Sequence, residues 1–299
     1  MHIYLTGATG FIGSRILPLL LDAGHSVTGL TRSGEGARQI EVAGATAYRG
    51  TLEDPAGLAR GAENADAVIH TAFDHNFANF VENTQRDYRV IEALGEVLNG
   101  TARPLIITSG VGIGSRGAGA IATEDFTDWD NPNPRIATEK AGQALLDRGV
   151  SVGVVRLPQV HNIERAGLIS PLTDIFVAQG AAGYGGDGSA RWPAAHVDDV
   201  AQLYVLALEK HRAGIKWNAV AEEGVASKDI AAVLAAGLGL PLRAVSDDQL
   251  GEFFGWMAAF AAHDMAASSD WTRRTLGWNP QGPKLLDDLR AMFERSPAG

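Results

Sequence analysis

The opening of the chain constrains its fold more than any other stretch. Met1-His2-Ile3-Tyr4-Leu5, short and rich in β-formers, runs directly into Thr6-Gly7-Ala8-Thr9-Gly10-Phe11-Ile12-Gly13. Residues 11–21 are apolar and helix-like, and Gly24-His25-Ser26 then turns the chain into a second strand at 27–31. Strand, glycine turn, helix and strand in this order form the first half of a dinucleotide-binding unit. In a chain with 36 glycines three of them alone are weak evidence, so the weight comes from their placement between a strand and a helix. Gly7 permits the tight turn, Gly10 allows a pyrophosphate close to the backbone, and Gly13 lets the helix pack on the strand. The free N–H groups and positive end of that helix then face the phosphates. Thr9, Phe11 and Ile12 belong to the same cradle.

Strands and helices alternate without interruption as far as residue 156. The apolar run Ala67-Val68-Ile69 suits a strand buried on both faces, and Pro104-Leu105-Ile106-Ile107-Thr108-Ser109 forms a fifth strand. A glycine-rich loop (110–119) follows it, then a helix from Thr138 to Arg148 and a sixth strand at 151–156. This pattern predicts an α/β fold, a doubly wound parallel (Rossmann) sheet. Beyond residue 157 the alternation loosens. The expected division is a dinucleotide-binding core of residues 1–157 with 191–220. A smaller, discontinuous substrate-binding region would comprise 158–190 with 221–299. Ser227 is the expected N-cap of an alanine-rich helix, and the aromatic residues at 253–260 suit either core packing or a pocket wall.

Totals narrow the function classes. The 25 basic and 35 acidic residues give a net charge of −10, which disfavours a nucleic-acid partner. With no cysteine, disulfides and thiolate chemistry are excluded. The scattered histidines show no metal-ligand spacing, so no metal is expected. No membrane partner is expected, because no apolar run reaches spanning length and no secretory leader is recognisable. A cytoplasmic location follows as an expectation.

At the end of the second strand, dinucleotide folds place an acid for a ribose hydroxyl or a base for a 2′-phosphate. Arg32 stands there, followed by Ser33, and no acid does. The expected cofactor is therefore NADP(H) in preference to NAD(H), with Arg15 as an assisting cation. Further cofactor positions are expected where other strands end: Thr51 and Leu52, Thr71, Ala72 and Phe73, then Leu157 and Val160.

Taken in order, Thr6–Gly13, Asp66-Ala67-Val68-Ile69-His70-Thr71-Ala72, Thr108-Ser109, Lys140, Arg156-Leu157-Pro158 with Val160, and His196-Val197-Asp198-Asp199-Val200-Ala201 resemble one superfamily. It is the short-chain dehydrogenase/reductase superfamily, in its extended and atypical branch with the NAD-dependent epimerase/dehydratase-like proteins. The resemblance covers nearly the whole chain. It implies a homodimer that acts on a small molecule through a serine or threonine, a tyrosine and a lysine. Ser109 matches the serine that orients the substrate carbonyl, and Lys140 matches the lysine that holds the nicotinamide ribose. The tyrosine is missing: four residues before Lys140 stands Ile136. Substitute proton donors are sought in loops at the carboxyl edge of the sheet, namely His75, His161 and Tyr184. Asp74, His263 and Asp264 lie in comparable segments. The leading expectation is an NADP(H)-dependent oxidoreductase that reduces a carbonyl or imine. The alternatives are a non-catalytic redox sensor and a nucleotide-sugar epimerase or dehydratase.

Overall fold

The computed structural model describes residues 1–294. Its elements are β1 (His2–Thr6), α1 (Gly13–Asp22), β2 (Ser26–Thr31), α2 (Gly34–Val42), β3 (Thr46–Arg49), α3 (Pro55–Ala59), β4 (Ala67–His70), α4 (Phe80–Leu98), β5 (Leu105–Gly110), α5 (Ile136–Asp147) and β6 (Val152–Leu157). They continue as β7 (Gln159–Asn162), β8 (Arg165–Ala166), α6 (Ile169–Gln179), β9 (Ala182–Gly185), β10 (Arg191–His196), α7 (Val197–Glu209), β11 (Lys216–Asn218), β12 (Glu222–Ala226), α8 (Ser227–Leu238), β13 (Leu242–Val245), α9 (Leu250–Phe254), α10 (Ala258–Ala261), α11 (Asp270–Leu276) and α12 (Leu285–Glu294).

Seven strands form one sheet in the order β11-β6-β5-β4-β1-β2-β3, and every pairing in it is parallel. The strand order reverses at β1, which is flanked by β2 and β4. Ligands in such sheets bind outside the carboxyl ends of the strands at this reversal. Side-chain alternation along β1 divides the core. Ile3 and Leu5 join α1 and α7 on one face, while Tyr4 joins α3, α4 and α5 on the other. The expected doubly wound α/β sheet is thus present.

A second sheet, β12-β10-β7-β8, rises beside the first. Residues 191–196, assigned to the core in the expected division, run as β10 between β7 and β12. By contrast α7 packs on α1, and β11 extends the large sheet beside β6. A separate apolar cluster gathers Trp192, Phe176, Phe253, Phe254, Met257 and Leu289 beneath this second sheet. The aromatic stretch 253–260 is therefore mostly packing, with Trp256 left exposed. Ser227 does not cap α8: Ala226 holds the cap position, and the Ser227 hydroxyl donates to the Gly188 carbonyl at 3.1 Å.

Candidate functional site

The glycine turn has the geometry its composition demands. Gly7 is left-handed (φ +71°), and a Cβ there would lie 2.7 Å from the Thr71 hydroxyl. A Cβ on Gly13 would lie 2.0 Å from the Gly7 carbonyl oxygen, so helix and strand can approach this closely only around glycine. Gly10 donates back to the Gly7 carbonyl at 2.8 Å, closing the turn. Among the described residues the N–H groups of Phe11, Ile12 and Gly13 have no hydrogen-bond partner. They are the open donors of the α1 N-terminus, and an anion is their natural complement. An open concavity of about 500 Å³ lies over them. Thr9, Gly10, Phe11, Ser14 and Arg15 line one side, and Asn162, Glu164 and Arg165 from the β7–β8 hairpin line the other. These residues fit a dinucleotide pyrophosphate.

Arg32 is exposed after β2, and its carbonyl accepts from Arg49 Nη2 at 2.9 Å. The Arg49 guanidinium therefore sits against the Arg32 backbone. The Ser33 hydroxyl caps α2 by accepting from the Gly36 N–H at 3.0 Å, and Thr51 Oγ1 bonds Glu53. Leu52 packs on the α3–α4 side of the core. Thr71 Oγ1 donates to the Thr6 carbonyl at 2.8 Å, and the Ala72 N–H donates to Thr6 Oγ1 at 3.3 Å, so these two brace the turn from β4. Leu157 is partly buried, while Val160 lies within the main core cluster.

Beneath the carboxyl ends of β1, β4 and β5 runs a buried polar chain. Thr6 Oγ1 meets His70 Nδ1 at 2.7 Å, and His70 Nε2 meets Asp87 Oδ1 at 3.0 Å. Asp87 Oδ2 accepts from Thr138 Oγ1 at 2.6 Å and from Arg135 Nη1 at 3.0 Å. Burial would raise the Asp87 carboxyl, but the Arg135 charge and the His70 and Thr138 bonds outweigh it and hold the pKa below the usual range. Arg135 Nη2 donates to the Thr108 carbonyl at 2.7 Å, and its guanidinium carbon lies 3.8 Å from the centroid of Phe73. Thr108 Oγ1 also meets the buried Tyr204 phenol at 2.6 Å.

The phase of α5 differs from the expectation built on Lys140. Residues 136–142 are all buried except Lys140, which is exposed and makes no hydrogen bond or ion pair among the described residues. The pair one turn apart that meets the ends of β5 and β6 is Arg135 and Glu139. Glu139 is a bidentate partner of Arg156, at 2.7 Å from Nε and 2.7 Å from Nη2, in an environment closed to solvent. Arg156 further donates to the carbonyls of Thr123 (3.1 Å) and Phe126 (2.8 Å) and to Thr127 Oγ1 (2.8 Å), tying down the β5–α5 loop.

The other candidates scatter. Ser109 lies at the end of β5, 3% exposed, with its Oγ buried and unpaired. His75 follows β4 at the cleft, its ring 5.1 Å from that of Phe73. Its side chain is exposed, and the protein packed around its ring side and then the Arg135 and Arg165 charges lower its pKa. His161 is not in a loop. It lies in β7, fully buried, with Nδ1 2.7 Å from Asp288 of α12, and burial lowers its pKa against that partner's pull. Tyr184 packs in the second cluster under Lys228, whose amino group lies 5.5 Å from the ring centroid. Asp264 is engaged by Arg191 at 2.7 Å, and Asp74 by Arg86 at 3.4 Å. The sequence reading missed Arg135, Asp87, Glu139 and the Asn162–Arg165 hairpin. The one signal available was Arg135 itself, a cation at the start of a helix, where the helix dipole disfavours it.

Comparison with known proteins agrees with this architecture. Residues 7–174 match the NAD(P)H-binding family. An uncharacterised protein of Schizosaccharomyces pombe is 43% identical over 290 residues, covering 97% of this chain and 98% of that one. A Stigmatella aurantiaca 4-hydroxy-2-methyl-3-oxo-4-farnesyl-3,4-dihydroquinoline-1-oxide ketoreductase is 36% identical over 72 residues, covering 24% of this chain and 22% of its own. Among solved structures, the Thermotoga maritima UDP-glucose 4-epimerase with UDP-glucose superposes with a TM-score of 0.74 at 20% identity, over 98% of each chain. The chain belongs to the NAD(P)H-binding family, with the fold of the extended short-chain dehydrogenases and NAD-dependent epimerases.

Proposed function

We propose that this protein is an NADP(H)-dependent oxidoreductase that reduces the carbonyl of a small to medium molecule. One observation carries the reading. The open N–H groups of the glycine turn border a concavity whose opposite wall is the β7–β8 hairpin, and after β4 Phe73 packs against both His75 and Arg135. A molecule held there lies against both the turn and the second lobe. Phe11, Ile12 and Gly13 would hold the pyrophosphate, with Arg15 and Arg165 beside it, and Arg32 and Arg49 would receive a 2′-phosphate. Thr71, Ala72 and Phe73 would line the inner end. The bound cofactor would supply a hydride; the chain would supply position and charge. The ketoreductase relative supports reduction as the reaction class.

Imine reduction is the weaker branch of this reading, because two guanidinium groups face the cleft and an iminium ion is a cation. The proposal keeps a cytoplasmic homodimer and the division of residues 1–157 with 191–220 (cofactor) from 158–190 with 221–299 (substrate), except that residues 191–196 go with the second sheet that they join. The test is to titrate NADPH and NADH by fluorescence, then follow nicotinamide absorbance with a panel of aldehydes, ketones and imines. Tight NADPH binding and oxidation by one class of carbonyl compound is the expected result. Binding without oxidation across the panel would replace this reading by a cofactor-sensing one. That second reading is favoured by α5, where Arg135 and Glu139 face inward and Lys140 does not.

A further inference from the structure

Arg135 has the properties of a ligand group that the polar chain beneath it prepares. Its guanidinium spans the carboxyl ends of β4 and β5, next to the strand-order reversal, where it donates to Asp87 and to the Thr108 carbonyl. Phe73 covers one of its faces. Asp87 is in turn fixed by Thr138 and by His70, and His70 by Thr6, the residue before Gly7. The group is thus held by bonds that lead back to the cofactor turn. It is not saturated. A guanidinium has five N–H donors, of which the protein occupies two, and the side chain is 14% exposed. A planar donor fork that never loses its charge suits an oxygen carrying full or developing negative charge.

We propose that Arg135 is the catalytic residue that receives the reacting oxygen of the substrate, as a hydrogen-bond donor. The inference rests on the reductase reading above. The carbonyl carbon gains a hydride, with its electron pair, from the reduced nicotinamide, which is oxidised. The C=O π pair passes to the oxygen, Arg135 stabilises the resulting alkoxide, and water protonates it, leaving hydroxide to the buffer. Arg135 keeps its protons throughout. The favoured substrates are neutral or anionic carbonyl compounds, which a cationic donor fork attracts.

The test uses Arg135→Gln, and also Arg135→Gln with Asp87→Asn, which spares the single variant a buried unpaired carboxylate. Oxamate, an inert planar oxyanion, is titrated calorimetrically into each protein without added nicotinamide. We expect at least tenfold weaker oxamate binding in the variants. With the best carbonyl substrate we expect kcat/KM to fall about 100-fold, and guanidinium ion added to the double variant to restore part of it. Such rescue is not expected of a residue that only supports the fold. If the wild type turns over and the double variant stays within twofold, Arg135 is not the oxygen's partner and the reductase reading stands. If the wild type oxidises no NADPH with any of the carbonyl compounds, the reductase reading fails and the catalytic role of Arg135 falls with it, whatever oxamate does. Unchanged oxamate binding in the variants, or none in the wild type, overturns it.

Discussion

Replacing Glu139 tests whether the inward face of α5 is built around a buried ion pair. Arg156 and Glu139 have side chains 0% and 1% exposed, and Glu139 takes two of the five hydrogen bonds that Arg156 donates. Glu139→Ala removes the only carboxylate in that set and leaves a guanidinium with no counter-charge in a dry site. Breaking such a pair from one side costs about 3–5 kcal/mol. At roughly 2–4 °C per kcal/mol for a chain of this size class, the melting temperature should drop by about 10 °C. Glu139→Lys should do worse, because it sets two cations face to face, although a lysine next to Lys140 would look conservative to a sequence comparison. Glu139→Leu with Arg156→Met should be milder than either single charge deletion, since no orphan charge remains. Differential scanning calorimetry of the three variants at one scan rate measures this, and limited proteolysis within residues 115–134 reports release of the loop that Arg156 holds. A Glu139→Lys protein melting within 2 °C of the wild type would refute the argument.

Gly13→Ala should abolish cofactor binding or folding, because its Cβ would sit 2.0 Å from the Gly7 carbonyl oxygen; a variant binding NADPH normally would show that the turn relaxes easily. Arg32→Glu should weaken NADPH far more than NADH in a fluorescence titration, and Arg49→Ala should weaken NADPH in the same direction to a smaller extent. Lys140→Ala should leave NADPH affinity within about twofold, as befits an exposed side chain without partners; a tenfold loss would return the ribose-binding role to it. His161 contributes a pH dependence whose sign follows from its lowered pKa. Between the folded value and the unfolded value of about 6.5 the unfolded chain binds more protons, so stability rises with pH there. Urea midpoints should therefore fall as pH is lowered from 7.5 to 5.5. The fall should be smaller in His161→Gln, which keeps a donor for Asp288; an unchanged slope would mean that His161 is not a source of it.

Local chemistry made the cofactor half of the site legible. The glycine spacing, the strand before it and the helix after it act over a dozen residues, and the buried β4 and β5 runs announce a parallel sheet without any knowledge of their neighbours. The phase of α5 was not legible, for a physical reason. Ile136 with Lys140 and Arg135 with Glu139 share the same four-residue spacing, and an amphipathic reading turns the charged pair outward. What turns it inward is distant in sequence: Arg156 on β6 meets Glu139, and Asp87 on α4 meets Arg135. Each charge is buried because its partner is buried too, so no single segment carries the signal. His161 follows the same logic, since a histidine five residues past the expected strand end reads as loop until Asp288 of α12 closes over it. The cofactor cradle depends on backbone and glycine, which sequence encodes locally. The polar floor beneath β4 and β5 depends on pairs of charges that only the completed fold brings together, and there a close variant of the sequence could keep the glycine turn while changing that floor.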